Sequence, residues 1–135
     1  MREIKFRAWN VKYKEMWDVN GLSWVIDKHY DEPERDVSSM IQSITSGNRA
    51  SENPANNVIL MQYTSLSDKN GTDIYDGDIV EYIDGEFSFK AVIKWAGWNW
   101  YMEGIDVNDN FNFEDTLPQE IEVIGNIYEN PELVK

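Results

Sequence analysis

Apolar and polar positions alternate along residues 87–95. Phe87, Phe89, Ala91, Ile93 and Trp95 share one parity, and Ser88, Lys90, Val92 and Lys94 the other. A period of two predicts a strand with one buried face, here the Phe89, Ile93 and Trp95 face. "DIVEYI" before it, "WNWYME" after it and "EIEVIGNIY" at 120–128 are three more candidate strands, and the apolar run "VILMQY" at 58–63 reads as a buried one. "DGE" at 84–86 and "AG" at 96–97 suit tight hairpin turns, because Asp-Gly tolerates positive φ. At the N-terminus Ile4, Phe6 and Ala8 alternate with Lys5, Arg7 and Trp9, so residues 3–18 are expected to form a hairpin that returns through "YKEMWDV". Gly125, within the last strand, predicts a bulge or a close backbone approach.

The period changes between residues 34 and 46. Val37, Met40, Ile41 and Ile44 are spaced i, i+3, i+4 and i+7, which predicts a short amphipathic helix with Asp36 as its N-cap and Gly47 ending it. "SGNRASENPANN" then reads as a mobile polar loop, and "NDNFNFEDTLPQE" as a longer polar excursion before the last strand. The expected architecture is mainly β, or α+β with the helix counted. It is a small, strongly bent antiparallel sheet or SH3-like barrel with an N-terminal hairpin and one short helix. The expected organisation is one domain over 1–135: the hairpin at 3–18, a variable helix and loop at 19–57, and a barrel-like β region at 58–130.

Composition narrows the chemistry. The 135 residues contain no cysteine, so neither disulfides nor thiolate metal sites are available. There is no apolar run of membrane-spanning length and no signal-peptide pattern, which predicts a cytoplasmic protein without membrane contact. The net charge of −13 is unevenly placed: +3 over residues 1–17, −4 over 18–67 and −12 over 68–135. An acidic body repels phosphate backbones, so direct nucleic-acid binding is not expected, whereas attraction to a basic protein surface is.

The stretch "SLSDKNGTDIYDGDIVEY", 65–82, invites a metal or nucleotide reading. A calcium loop begun at Asp68 would need glycine sixth and glutamate twelfth, but Asp73 and Ile79 stand there. No GxxxxGK[ST] or GxGxxG is present. Turn chemistry accounts for the residues instead. Asn70-Gly71 is a strong turn pair, Ser67 and Asp68 are placed to bond back to nearby amides, and Asp76-Gly77-Asp78 makes a second turn. The lone His29 reads as structural. "WAGWNWYME" groups four aromatics, with Trp98 and Trp100 assigned to one strand face and Tyr101 to the other. They are either core or an exposed platform for a partner or an oligomer. No catalytic, cofactor or metal residues are assigned.

Three blocks, "MREIKFRAWN…KEMW", "LMQYTSLSDKNGTDIYDGDIVEY" and "EVIGNIYENPEL", occur in order and span most of the chain. Together the sequence resembles the YopX-like proteins of bacteriophages and prophages. Asp68, Gly71, Tyr75, Gly77, Asp78, Gly125 and Asn126 carry the match. The resemblance implies a small β-rich phage protein and supplies no catalytic residues. The expected function is therefore a non-enzymatic acidic interaction module that binds a protein partner or self-associates as a homo-oligomer. The alternative is an enzyme or small-ligand protein with an unrecognised acidic site.

Overall fold

The computed structural model describes residues 5–19, 21–24, 41–46, 49–52, 58–114, 116 and 118–135. The chain divides into two compact units, and among the described residues these comprise 5–61 and 62–135. In the first, β1 (Phe6–Asn10) and β2 (Glu15–Val19) form an antiparallel hairpin with Ala8 opposite Trp17. Lys14 holds a φ of 54° in the connecting turn. The strand β3 (Gly21–Trp24) pairs with β4 (Ile41–Ser46), which pairs in turn with β5 (Arg49–Glu52). The long β6 (Val58–Ser67) lies next to β1 in its sheet. Its Val58 and Leu60 pack with Val19 around the fully buried Ala8.

In the second unit the remainder of β6 pairs with β7 (Asp73–Tyr75), placing Tyr63 opposite Tyr75 and Ser67 opposite Asp73. Four further strands, β8 (Asp78–Asp84), β9 (Phe87–Trp95), β10 (Trp100–Gly104) and β11 (Asn110–Asn112), are joined by β12 (Ile121–Asn126). They form one antiparallel sheet in the order β11-β10-β9-β8-β12, strongly curled into a half-barrel. Short 3₁₀ turns stand at Pro118–Glu120 and Pro131–Val134.

The curl gives the sheet an inside. Ile74, Val80, Ile93, Met102, Phe113 and Ile121 are buried there around Phe89 and Ala91. Burying one such side chain contributes about 1.5–3 kcal/mol, so this cluster is the main source of the unit's stability. The chosen face of β9 is the inward one at Phe89, Ala91 and Ile93, as the alternation predicts. It is not inward at the strand's ends, where Phe87 and Trp95 are exposed. Val92, on the opposite parity, is also buried.

The hairpin, the strand 87–95 and the bulge at Gly125 agree with their sequence patterns. The pairing of β12 with β8 slips between Val123 and Gly125. A Cβ on Gly125 would lie 2.6 Å from Asn130 Oδ1, so glycine is required by close approach.

The expected helix over 34–46 is corrected at its C-terminal end, because residues 41–46 are the central strand of a three-stranded sheet. Ile41, Ile44 and Thr45 are β-branched, and the serines between them are poor helix formers. A register shift in the β3–β4 pairing leaves one extra residue, Gln42, between the partners of Ser23 and Trp24. That insertion breaks the two-residue period on which a strand would have been recognised. The expected loop at 46–57 is corrected likewise, since Arg49–Glu52 pairs with β4. The positions of Val37, Met40, Asp36 and Gly47, and of His29, lie outside the described residues.

Candidate functional site

The Asp68 turn of the second unit is densely hydrogen-bonded. Its carboxylate is buried, at 3% exposure, and both oxygens accept backbone protons. Oδ1 accepts from the amides of Asn70 and Thr72, each at 2.9 Å, and Oδ2 from the amide of Val123 on β12, also at 2.9 Å. Burial pushes this carboxyl up, but the amides of Val123, Thr72 and Asn70, with Lys69 beside them, outweigh it and hold it below the usual carboxylate range. Gly71 closes the turn at φ 78°, its amide donating to the Asp68 carbonyl. Asn70 is exposed, and its side-chain amide reaches Glu122 at 3.4 Å. Ser67 donates its hydroxyl to the Asp73 carboxylate at 3.4 Å.

The second turn is tied in the same way. Asp78 is buried and its Oδ2 accepts the Tyr75 amide at 2.8 Å. Gly77, at φ 84°, donates to the Ile93 carbonyl and accepts from the Ile127 amide, while the Asp76 amide donates to Gln62. At the C-terminal side Asn126 is buried, and its Oδ1 accepts from the amides of Tyr128 and Glu129. Its own amide donates to Asn130 Oδ1, the atom that fills the space beside Gly125. Six of the residues singled out by resemblance, Asp68, Gly71, Gly77, Asp78, Gly125 and Asn126, are thus parts of a backbone clamp. Each carboxylate in it is turned toward amides of the chain.

The exposed chemistry lies elsewhere on the sheet. Trp98 is 80% exposed at the tip of the β9–β10 hairpin, beyond the strand in which it was expected. Trp95 beside it is 47% exposed and leans on Trp100 with ring centroids 4.9 Å apart. Trp100 itself is only 3% exposed, so it belongs to the core rather than to a surface platform. Tyr101 is half-buried opposite Lys94. Lys94 in turn forms an ion pair with Glu103 at 2.6 Å, and that hydrogen bond pushes the lysine up. Of the three aromatics proposed from sequence as an interaction surface, only Trp98 is broadly available.

A second aromatic group was not anticipated. The β8–β9 register sets Tyr82 opposite Phe89 and Asp84 opposite Phe87. Tyr82 and Phe87 lie 5.1 and 5.6 Å from Phe89, centroid to centroid, and Phe111 of β11 stacks on Phe89 at 4.2 Å. These rings line an open groove of about 350 Å³, bordered by Asp84 and Glu120. The Tyr82 hydroxyl donates to Glu120 at 3.2 Å. Burial pushes the phenol up, as do the bond to Glu120 and the negative charge of Glu120 and Asp84. The signal was present in the Asp84-Gly85 turn, which fixes which residues of the two strands face each other, whereas Phe111 was hidden in a segment read as polar. Among the described residues no three His, Asp or Glu side chains converge as a metal site, and no helix is long and apolar enough to cross a membrane.

The YopX protein family model matches residues 5–135. The chain belongs to the YopX family. A search of the curated proteins gives no match. Among solved structures, this YopX-family chain is similar to protein EF1440 from Enterococcus faecalis, with 27% identity and a TM-score of 0.64. It also resembles protein yopX from Bacillus subtilis, with 24% identity and a TM-score of 0.59. Both matches cover 100% of each chain, and the second is a likeness of fold.

Proposed function

We propose that this YopX-family chain is a non-enzymatic interaction module of phage or prophage origin, acting in the cytoplasm of a bacterial cell by binding another protein. The observation that carries the reading is an inversion within the second unit. Phe87, Trp95 and Trp98 stand exposed on it, while the carboxylates of Asp68 and Asp78 are buried against backbone amides. Large apolar side chains in water lower solubility unless a partner covers them, and aromatic residues dominate the energetics of protein interfaces. The acidic charge of residues 68–135 favours a basic partner and disfavours duplex DNA.

The test is copurification from bacterial cells expressing the tagged chain. The wild type should retain a partner that a Phe87→Ala/Trp98→Ala variant loses while melting at the wild-type temperature. Equal retention by the variant, or no retained protein together with turnover of a small molecule by the purified chain, would overturn the reading. A second reading, self-association, draws on the +3 charge of residues 1–17 against the −12 of residues 68–135. Light scattering across a salt series decides it, since a strictly monomeric chain at every salt would exclude a homo-oligomer.

A further inference from the structure

The groove between β8, β9 and β11 combines two features that a single kind of side chain satisfies. Its walls are the rings of Tyr82, Phe87, Phe89 and Phe111, and its border carries the carboxylates of Asp84 and Glu120. No lysine or arginine lines it among the described residues. Its volume of about 350 Å³ lies in the range of clefts that hold ligands, about 300–1,000 Å³. Phe87 is half exposed at its mouth, so the aromatic wall is reachable from solvent.

Aromatic faces carry negative charge density and attract cations above them, arginine more often than lysine. A guanidinium is planar, weakly hydrated, and pairs with carboxylates through a fixed fork of donors. The Tyr82 hydroxyl, donating to Glu120, holds one of the two carboxylates in place beside the rings. The wider field has the same sign. Residues 80–120 carry nine acidic and two basic side chains, a net −7. A neutral apolar group would use the rings alone, and an anion would be repelled.

We propose that this groove is the docking site for an arginine-bearing basic segment of a partner protein. The guanidinium stacks on the ring faces exposed in the groove and pairs with Asp84 and Glu120. The proposal rests on the interaction-module reading and gives the partner its chemistry. Phe87 is a direct contact, and Tyr82 also acts as a positioning residue through Glu120.

The test is a titration of the isotope-labelled full chain with a short arginine-rich peptide, followed by amide NMR shifts. Its lysine analogue and its citrulline analogue, which is neutral, are titrated in parallel. The arginine peptide is expected to shift the amides of residues 82–89 and 110–112, to bind more tightly than the lysine peptide, and to weaken as salt rises. Citrulline should abolish the shifts. Phe87→Ala and the pair Asp84→Asn/Glu120→Gln are each expected to weaken binding about tenfold or more. Phe87 and Asp84 are exposed and Glu120 is half-buried, and an unchanged spectrum away from the groove shows that the variants fold.

Shifts confined to residues 95–99 would overturn the groove, as would equal binding of the citrulline peptide or the absence of shifts with any peptide. Groove shifts that grow with protein concentration alone would assign it to a second copy of the chain and overturn it as well. Because the titration uses the purified chain and a defined peptide, its failure leaves a partner captured through Trp98 standing. Failure of both experiments would remove the module reading itself.

Discussion

Two regions of the C-terminal unit invert the usual arrangement of a soluble domain in opposite ways. Around Asp68, Asp78 and Asn126, polar side chains are buried. Along β9 and the hairpin after it, apolar side chains are exposed, Phe87 at one end and Trp95 and Trp98 at the other. The first inversion is resolved within the chain, because side-chain oxygens of Asp68, Asp78 and Asn126 accept backbone amides at hydrogen-bond distance. The second is resolved only in part: Phe87 leans on Phe89 and Trp95 on Trp100, yet each keeps about half its surface in water. The difference teaches where to look for function. A buried acid satisfied by the backbone is a structural device, whereas an exposed ring is surface open to contact. Acid-rich loops invite a search for metals and nucleotides, yet here Asp68 and Asp78 hold turns together.

The comparison can be broken by mutation, beginning with the residue the aromatic face shares with the core. Phe89 is buried in the core cluster and also forms a wall of the groove. Phe89→Ala should cost about 3–5 kcal/mol in chemical denaturation. A near-wild-type midpoint would mean that the inside of the curled sheet has been assigned to the wrong face. Within the clamp, Gly125→Ala should cost about 1–3 kcal/mol, because the added methyl displaces Asn130 and its bond to the Asn126 amide. Gly71→Ala and Gly77→Ala should each cost about 1 kcal/mol or more through their positive φ. Space around Gly71 is open, so its effect isolates the backbone term. At the far end of the scale, Trp98→Ala should change stability by less than about 0.5 kcal/mol. A loss of several kcal/mol there would place Trp98 in a packed environment and erase the contrast between the two regions.

Much of the fold was legible because local patterns agreed with the final packing. Strand β9 alternates in sequence and buries Phe89, Ala91 and Ile93 of the chosen face, and the glycines at 71, 77, 85 and 97 mark turns with positive φ. Where reading failed, a neighbour in space overrode the local pattern. Ile41 and Ile44 suggested a helix, but pairing with β3 and β5 on either side made residues 41–46 a central strand. Phe111 lay in a segment of asparagines and acids, and only the pairing of β11 with β10 brings it to Phe89. The clamp was half legible. The turns around Asp68 could be named from Asn70-Gly71, but the bond from Val123, 55 residues away on β12, leaves no local pattern in the sequence. The candidate surface was legible only as aromatic content. Which of Trp98, Trp100 and Tyr101 faces water depends on where the β9–β10 hairpin ends.

Within the 65–82 stretch the buried carboxylates of Asp68 and Asp78 serve the backbone, and Asp68→Asn tests this most directly. Asparagine keeps one acceptor but presents an amino group where the second carboxylate oxygen meets an amide. Two of the three amide bonds, or the one from Val123, then lose a proper acceptor, at about 2–3 kcal/mol near neutral pH. The folded carboxyl lies below its ordinary value of 3.8, so its contribution is fully present above the unfolded pKa. It is lost as pH falls through the folded value. Chemical denaturation of wild type and Asp68→Asn from pH 7 to pH 3 should therefore show a gap that holds down to about pH 4 and narrows below it. A variant as stable as the wild type at pH 7, or a gap that does not respond to acid, would contradict the clamp and return Asp68 to the list of candidate functional residues.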